Sequence, residues 1–432
     1  MTASAPAGPI VRFHRSVAES LGGLPGAFWW LWAATLVNRL GGVVTFLALY
    51  LTADRGYSAS YAGVVASLIG LGSAIAALVG GVLADRIGRR PTLLAAQLLT
   101  ALTTAALGFA DGQLAIASTA FLVGLSSYAS RPATSAIIAD LVPAADRARA
   151  FALNYWAINI GFGVSAALAG LVAAHDYRVL FLVDALSTLL CAVVVFVRVP
   201  ETRPVEPQRD AAGLGEGPGE GAGEGAGEGA GSGPSAGLGT VFRDRRFMAL
   251  VGLTFAFGLM LQQGNTTLAV DMGKAGLTST QYGVVIGING LLIVLLQIPV
   301  TRLTKGQHRG MLLLVSALLT GSGFGLTAFA GSSALYYAAT VGVWTLGEMI
   351  QAPTSMSLVS ELSATSTRGR YQGVNSLAWS AASFLGPVAG GLLLDHAGRG
   401  ALWGCCAVLG TVAAAGYLAL GRRVDTGRYS MP

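Results

Sequence analysis

Two stretches lying 221 positions apart decide the fold: PATSAIIADLVPAADRARAFALN, residues 132–154, and PTSMSLVSELSATSTRGRYQGVN, residues 353–375. They align without a gap. Pro132 falls on Pro353, Asp140 on Glu361, Leu141 on Leu362, Arg147 and Arg149 on Arg368 and Arg370, and Asn154 on Asn375. Further on, Gly170 falls on Gly391. The chain is an internal duplication, and its flanks show what is duplicated.

The 432 residues are 53% hydrophobic and only 11% charged. Soluble domains carry about 25% charged residues, so a soluble chain of this make-up could not cover its surface. The apolar residues come in blocks of about 20, the length that crosses roughly 30 Å of hydrocarbon. Twelve such blocks run over 27–51, 60–84, 92–110, 113–142, 149–174, 179–199, 247–270, 280–303, 310–330, 334–363, 370–395 and 399–421. Lipid cannot satisfy free backbone groups and no alternating barrel pattern occurs, so all are helices. The expectation is an all-α integral membrane protein with twelve transmembrane helices in two pseudo-symmetric six-helix halves.

Lys and Arg in short loops stay on the cytoplasmic side. With both termini cytoplasmic, only Arg55, Arg178, Lys274 and Arg399 fall outside and Arg39 and Arg131 lie within helices, leaving 21 of the 27 Lys and Arg inside. The net charge of +6 thus describes orientation in a cytoplasmic membrane, and no nucleic-acid partner is expected. Cys191, Cys405 and Cys406 lie in spans, and the four histidines are scattered. Neither a metal nor a disulfide spacing occurs, HExxH and GxSxG are absent, and no cofactor or enzymatic chemistry is expected. The domains read as a cytoplasmic segment 1–26, a six-helix bundle 27–199, a Gly/Glu-rich disordered linker 200–246, a second bundle 247–421 and a tail 422–432. Parallel repeats of this kind hold a substrate near the bilayer midplane between the halves, and rocking alternates access to it.

After the second block comes GGVLADRIGRRPTLL. Its Gly81, Asp85, Arg86, Gly88, Arg89 and Arg90 resemble the loop 2–3 signature of the major facilitator superfamily, GxxxD(R/K)xG(R/K)(R/K). The resemblance implies a gate in which Asp85 faces the N-terminus of helix 11 and Arg89 pairs with the carboxylate closing helix 4, here Asp140. Loop 8–9, QIPVTRLTKGQHRG, has Thr301 near the place of Asp85, so only the first half carries the complete latch. The family's antiporter motif in helix 5 has lost its glycine-proline pair to Ser165 and Ala166, whereas helix 11 keeps Gly386, Pro387, Gly390 and Gly391.

Charges within spans are costly and face a bundle interior or wet cavity. Arg39, Arg131 and Glu348 are of this kind; Asp184 and Asp271 lie nearer outer helix ends, where water can reach them. Glu348 resembles the helix 10 carboxylate of proton-driven multidrug exporters in the superfamily. Proton coupling through Glu348, with Arg131, Arg39 and Asp184, stands beside a fixed ion pair of Glu348 with Arg39 or Arg131, and beside a solvated Glu348. Substrate-cavity candidates are Asn38, Tyr128, Gln262, Gln263, Asn265, Trp344 and Gln351. Amides and aromatics beside one acid suit an amphipathic, cationic organic molecule. The expected protein is a monomeric secondary transporter that exports a small organic compound in exchange for protons. A proton-coupled importer of peptides is an alternative, disfavoured because Thr35 and Asn38 replace that group's two helix 1 acids. A transport-inactive receptor or scaffold of the same fold is another.

Overall fold

The computed structural model describes residues 22–39, 42–202, 238–363 and 368–428. The expected N-terminal segment through residue 21, linker residues 203–237 and tail residues 429–432 lie outside the described residues. The described chain folds into consecutive helices. We label them α1 (Gly26–Asn38, continued by Val43–Leu49), α2 (Ala59–Ile87), α3 (Arg89–Gly108), α4 (Gln113–Leu141), α5 (Arg147–Ala173) and α6 (Tyr177–Arg198). The second set is α7 (Arg245–Asn265, continued by Thr267–Lys274), α8 (Ser279–Thr304), α9 (Arg309–Leu326), α10 (Ala334–Leu362), α11 (Arg368–His396) and α12 (Gly398–Arg428). Ten are long and apolar enough to cross a membrane. The other two, α4 and α10, are 29 residues each but more polar, and they carry Arg131 and Glu348.

Several helix starts are set by a side chain just outside the apolar run. Ser58, Asp176, Asp244 and Ser333 each accept a backbone N–H of the first turn, and Thr278 with Gln281 forms a reciprocal capping box. The sequence bounds differ from the structure in four places. The first span is broken between Asn38 and Val43, where Gly42 takes φ 70°, a conformation that costs glycine little. The seventh is broken at Thr266 (φ −131°, ψ −71°). Residues expected in the linker form a short helix, Leu238–Arg243, and α12 continues past 421 to Arg428.

The first six helices pack mainly among themselves, as do the last six, and the halves meet chiefly where α2 crosses α11 and α5 crosses α8. These crossings are as close as backbones allow. A Cβ on Gly63 would stand 2.3 Å from the Pro387 carbonyl oxygen, one on Gly391 2.3 Å from that of Ala59, and one on Gly283 2.3 Å from that of Ala166. Small residues here permit the helix approach that packing in lipid rewards. The hydrogen bonds joining the halves cluster at the face opposite the termini. There Asp395 accepts from the Ser60 N–H at 2.6 Å and the Ser60 hydroxyl at 2.7 Å, and Tyr177 Oη meets Ser279 Oγ at 2.8 Å. Thr280 and Tyr282 donate to the Gly170 and Thr45 carbonyls at 3.2 and 3.1 Å. Among the described residues no hydrogen bond joins the halves at the terminal face. The clustered contacts seal the face opposite the termini.

Candidate functional site

Inside the sealed layer lies a cavity of about 690 Å³ between the halves. Helical periodicity brings its lining together. Tyr128, Arg131 and Ser135 share one face of α4, and Ser376, Trp379, Ser380 and Ser383 share one face of α11. Gln262, Asn265 and Thr266 enter from the broken part of α7, and Arg39 enters from the break in α1. The Arg131 guanidinium lies over the Tyr128 ring, 4.0 Å from its centroid. Among the described residues of the lining, Arg39 and Arg131 are the charged ones.

Of the cavity candidates, Tyr128, Gln262 and Asn265 therefore line it. Four do not. Gln263, about 100° around the helix from Gln262, is buried and donates to the Gly386 carbonyl at 3.0 Å. Trp344 stacks on Phe324 with ring centroids 5.2 Å apart. Gln351 is buried within the second half, and Asn38 Oδ1 is buried without a hydrogen-bond partner. Trp344, Glu348 and Gln351 share one face of α10, but that face turns toward neighbours in its own half and away from the cavity.

Glu348 is half-buried. Its Oε2 accepts from Asn289 Nδ2 of α8 at 2.9 Å, and the same amide donates to Thr345 Oγ1 at 3.0 Å. Tyr155 of α5 is in electrostatic range from the other half. The alternative, a fixed ion pair with Arg39 or Arg131, does not form among the described residues: a neutral amide occupies the place of a cation. Next to Glu348, Pro353 cannot donate to the Met349 carbonyl one turn back; Gln297 of α8 donates there instead, at 3.3 Å.

Asp184 is not a solvated helix-end acid. It is partly buried on α6, accepts the Val43 N–H, and is an electrostatic partner of Arg39. The sequence offered no sign of this, because the break in α1 that frees Val43 N–H was not legible. Asp271 is also corrected: it is 3% exposed, and its Oδ2 takes Arg399 Nη2 at 3.0 Å, Tyr337 Oη at 2.8 Å and Trp403 Nε1 at 3.1 Å.

In loop 2–3, Arg89 Nε lies 2.9 Å from Asp140 Oδ2, and Arg89 Nη1 donates to the Thr202 carbonyl at 2.9 Å. Gly88 takes φ 111°, and a Cβ there would sit 2.8 Å from Glu201 Oε2. The absent side chain lets Glu201 cap α3 by accepting the Arg89 and Arg90 N–H groups, each at 3.1 Å. Arg90 also donates to the Phe196 carbonyl. Asp85 and Arg86 are exposed; Gly81 has nothing within 4 Å of where its Cβ would stand. In the second half Arg309 pairs with Glu361, the repeat counterpart of Asp140. The arginine–carboxylate pair is therefore present twice, and the asymmetry lies in the counterpart of Asp85.

The chain is 26% identical over 359 residues to an uncharacterised transporter, YttB, of Bacillus subtilis (82% of this chain, 84% of the relative). It is 25% identical over 390 residues to the multidrug resistance protein MdtH of Aeromonas salmonicida (89% and 92%). It is 26% identical over 375 residues to a Na(+), Li(+), K(+)/H(+) antiporter of Planococcus maritimus (80% and 84%). Among solved structures, the nucleoside transporter NupG superposes with a TM-score of 0.74 at 13% identity, covering 92% of this chain and 99% of that one. The peptide transporter POT in complex with sulfate superposes at 0.71 and 17% identity (94% and 98%). The sequence model of the Major Facilitator Superfamily matches residues 31–384 and again 260–429, and with a paired-bundle fold around a central cavity the chain belongs to that superfamily of membrane transporters.

Proposed function

We propose that this transporter exports a small organic compound across the cytoplasmic membrane by alternating access, exchanging it for protons, with Glu348 as the proton-carrying group. The distribution of Lys and Arg makes the terminal face cytoplasmic, so the cavity is loaded from inside in the conformation described. The observation that carries the coupling is the Glu348–Asn289 hydrogen bond at 2.9 Å. A carboxylate inside a membrane bundle without a cationic partner has no fixed counter-ion to hold its charge. Water reaching it in one conformation and leaving it in the other then sets whether it holds a proton. Similarity to MdtH and to a cation/H(+) antiporter supports exchange in this direction. Asp140 and Arg89 brace the cytoplasmic ends of α3 and α4 within one half, and Asp85 remains available to α11 when that face closes.

The test uses the purified protein in sealed vesicles, with an imposed pH difference and a broad panel of organic solutes. Glu348→Gln should abolish pH-driven accumulation while leaving solute-for-solute exchange within about threefold of the parent. PH-driven transport that survives in Glu348→Gln sinks the assignment. An imposed pH difference that moves no solute in either direction sinks the whole proposal.

A further inference from the structure

The charge of the cavity points to a substrate class different from the one the sequence suggested. The acid on which a cationic substrate was based, Glu348, is absent from the lining, and the lining holds two guanidiniums and no carboxylate. Their compensation is unequal. Arg39 has Asp184 as an electrostatic partner, and Asp184 stands outside the cavity lining. Arg131 is exposed into the cavity, its one described partner is the face of Tyr128, and no described carboxylate lies within ion-pair distance of it. Arg39 and Arg131 also repel each other. A cation entering this space meets an uncompensated positive charge; an anion neutralises it.

We propose that the transported compound is an organic anion whose acidic group is bound by Arg131, with Arg39 on its second side; this rests on the exporter reading above. A guanidinium presents paired N–H donors in a plane that matches the two oxygens of a carboxylate, sulfonate or phosphate. Trp379 and Tyr128 offer faces for an aromatic or apolar body, and Gln262, Asn265 and Ser380 offer donors and acceptors around it. At about 690 Å³ the cavity falls in the range that encloses a drug-sized molecule. Glu348, held aside on α10, keeps its proton chemistry away from the bound anion.

Calorimetric binding to the purified full chain in detergent tests this independently of transport. Four probes share the naphthalene ring: 2-naphthoate, naphthalene-2-sulfonate and 2-naphthyl phosphate as anions, and 2-naphthamide as the neutral isostere; tetraphenylphosphonium is the aromatic cation. One or more of the anions should bind at least about tenfold more tightly than the amide, the scale of a charge-assisted hydrogen bond. The ranking among the three tells which acid is preferred. Arg131→Gln should bring anion and amide within about twofold, and Arg131→Lys should keep part of the preference. Equal affinity for anions and amide, tighter binding of tetraphenylphosphonium, or no binding of any anion overturns the proposal. The comparison among probes on the unmutated protein stands even if an Arg131 variant fails to fold. Loss of anion selectivity with pH-driven transport intact would leave the exporter standing, and the reverse result would leave the anion site standing.

Discussion

Two aspartates near helix ends, Asp111 and Asp271, look alike by position and differ in physics. Asp111 is fully exposed in the α3–α4 turn, and a hydrogen bond from Arg55 holds its carboxyl below the usual carboxylate range. A lowered carboxyl pKa adds stability above the unfolded value, about 3.9, and that addition is lost as pH falls through the folded value. Solvent screens this pair, so Asp111→Asn should lower the melting temperature of the purified protein only slightly at pH 7, and that small difference should vanish in acid. Asp271 is enclosed by Arg399, Tyr337 and Trp403. Removing its carboxylate leaves Tyr337 and Trp403 without their acceptor, while Arg399 keeps the Thr327 carbonyl, so Asp271→Ala should cost about 1–3 kcal/mol, seen as a drop in melting temperature in detergent. The sequence set both residues at the edges of apolar blocks, because hydrophobic length is a local property. It could not separate them, because Asp271's partners come from α10 and α12. The repeat gives no hint either: the residue 221 positions earlier is Tyr50.

At the scale of helices, two glycines on α2 mark the two ends of the transport cycle. Gly63 lies in the sealed layer, where any added Cβ would stand 2.3 Å from the Pro387 carbonyl. Gly63→Leu should pry α2 from α11 and open the outer face, raising the reaction rate of a membrane-impermeant thiol reagent at Ser383→Cys. Gly81 has open space around it in this conformation. Gly81→Leu should therefore leave stability and the cytoplasm-facing state intact and obstruct closure of the cytoplasmic end, giving solute binding without turnover. A Gly81→Leu protein with full turnover would show that α2 and α11 do not converge there. The helices and the correspondence of the halves were legible because they follow from apolar length and a gapless repeat. Which face of each rod points inward was only partly legible. Adjacent residues can both line the cavity, as Trp379 and Ser380 do, so helical geometry alone could not tell that Gln262 faces it and Gln263 does not. The turning of the α10 face toward α8 and α9, and the breaks in α1 and α7, depend on packing between segments far apart in sequence.

For the whole molecule, substrate charge sets how the membrane potential enters the work of transport. One elementary charge crossing 100 mV is worth about 2.3 kcal/mol. If one proton enters for each monovalent anion that leaves, two positive charges in effect move inward, worth about 4.6 kcal/mol per 100 mV. That alone sustains more than three decades of concentration at about 1.4 kcal/mol per decade. A neutral substrate would gain half as much, and a monovalent cation exchanged for one proton would gain nothing from the potential. The cavity, lined by Arg39 and Arg131 without a carboxylate, selects the first case. Vesicles carrying the purified protein can be given a potassium diffusion potential with valinomycin at equal pH on both sides. Movement of the preferred naphthalene anion away from the negative, cytoplasmic face should rise steeply with that potential, and its slope in Glu348→Gln should fall by about half as the proton's charge drops out. A flux indifferent to potential in the unmutated protein would match cation-for-proton exchange instead, and would exclude the anion as cargo of this transporter.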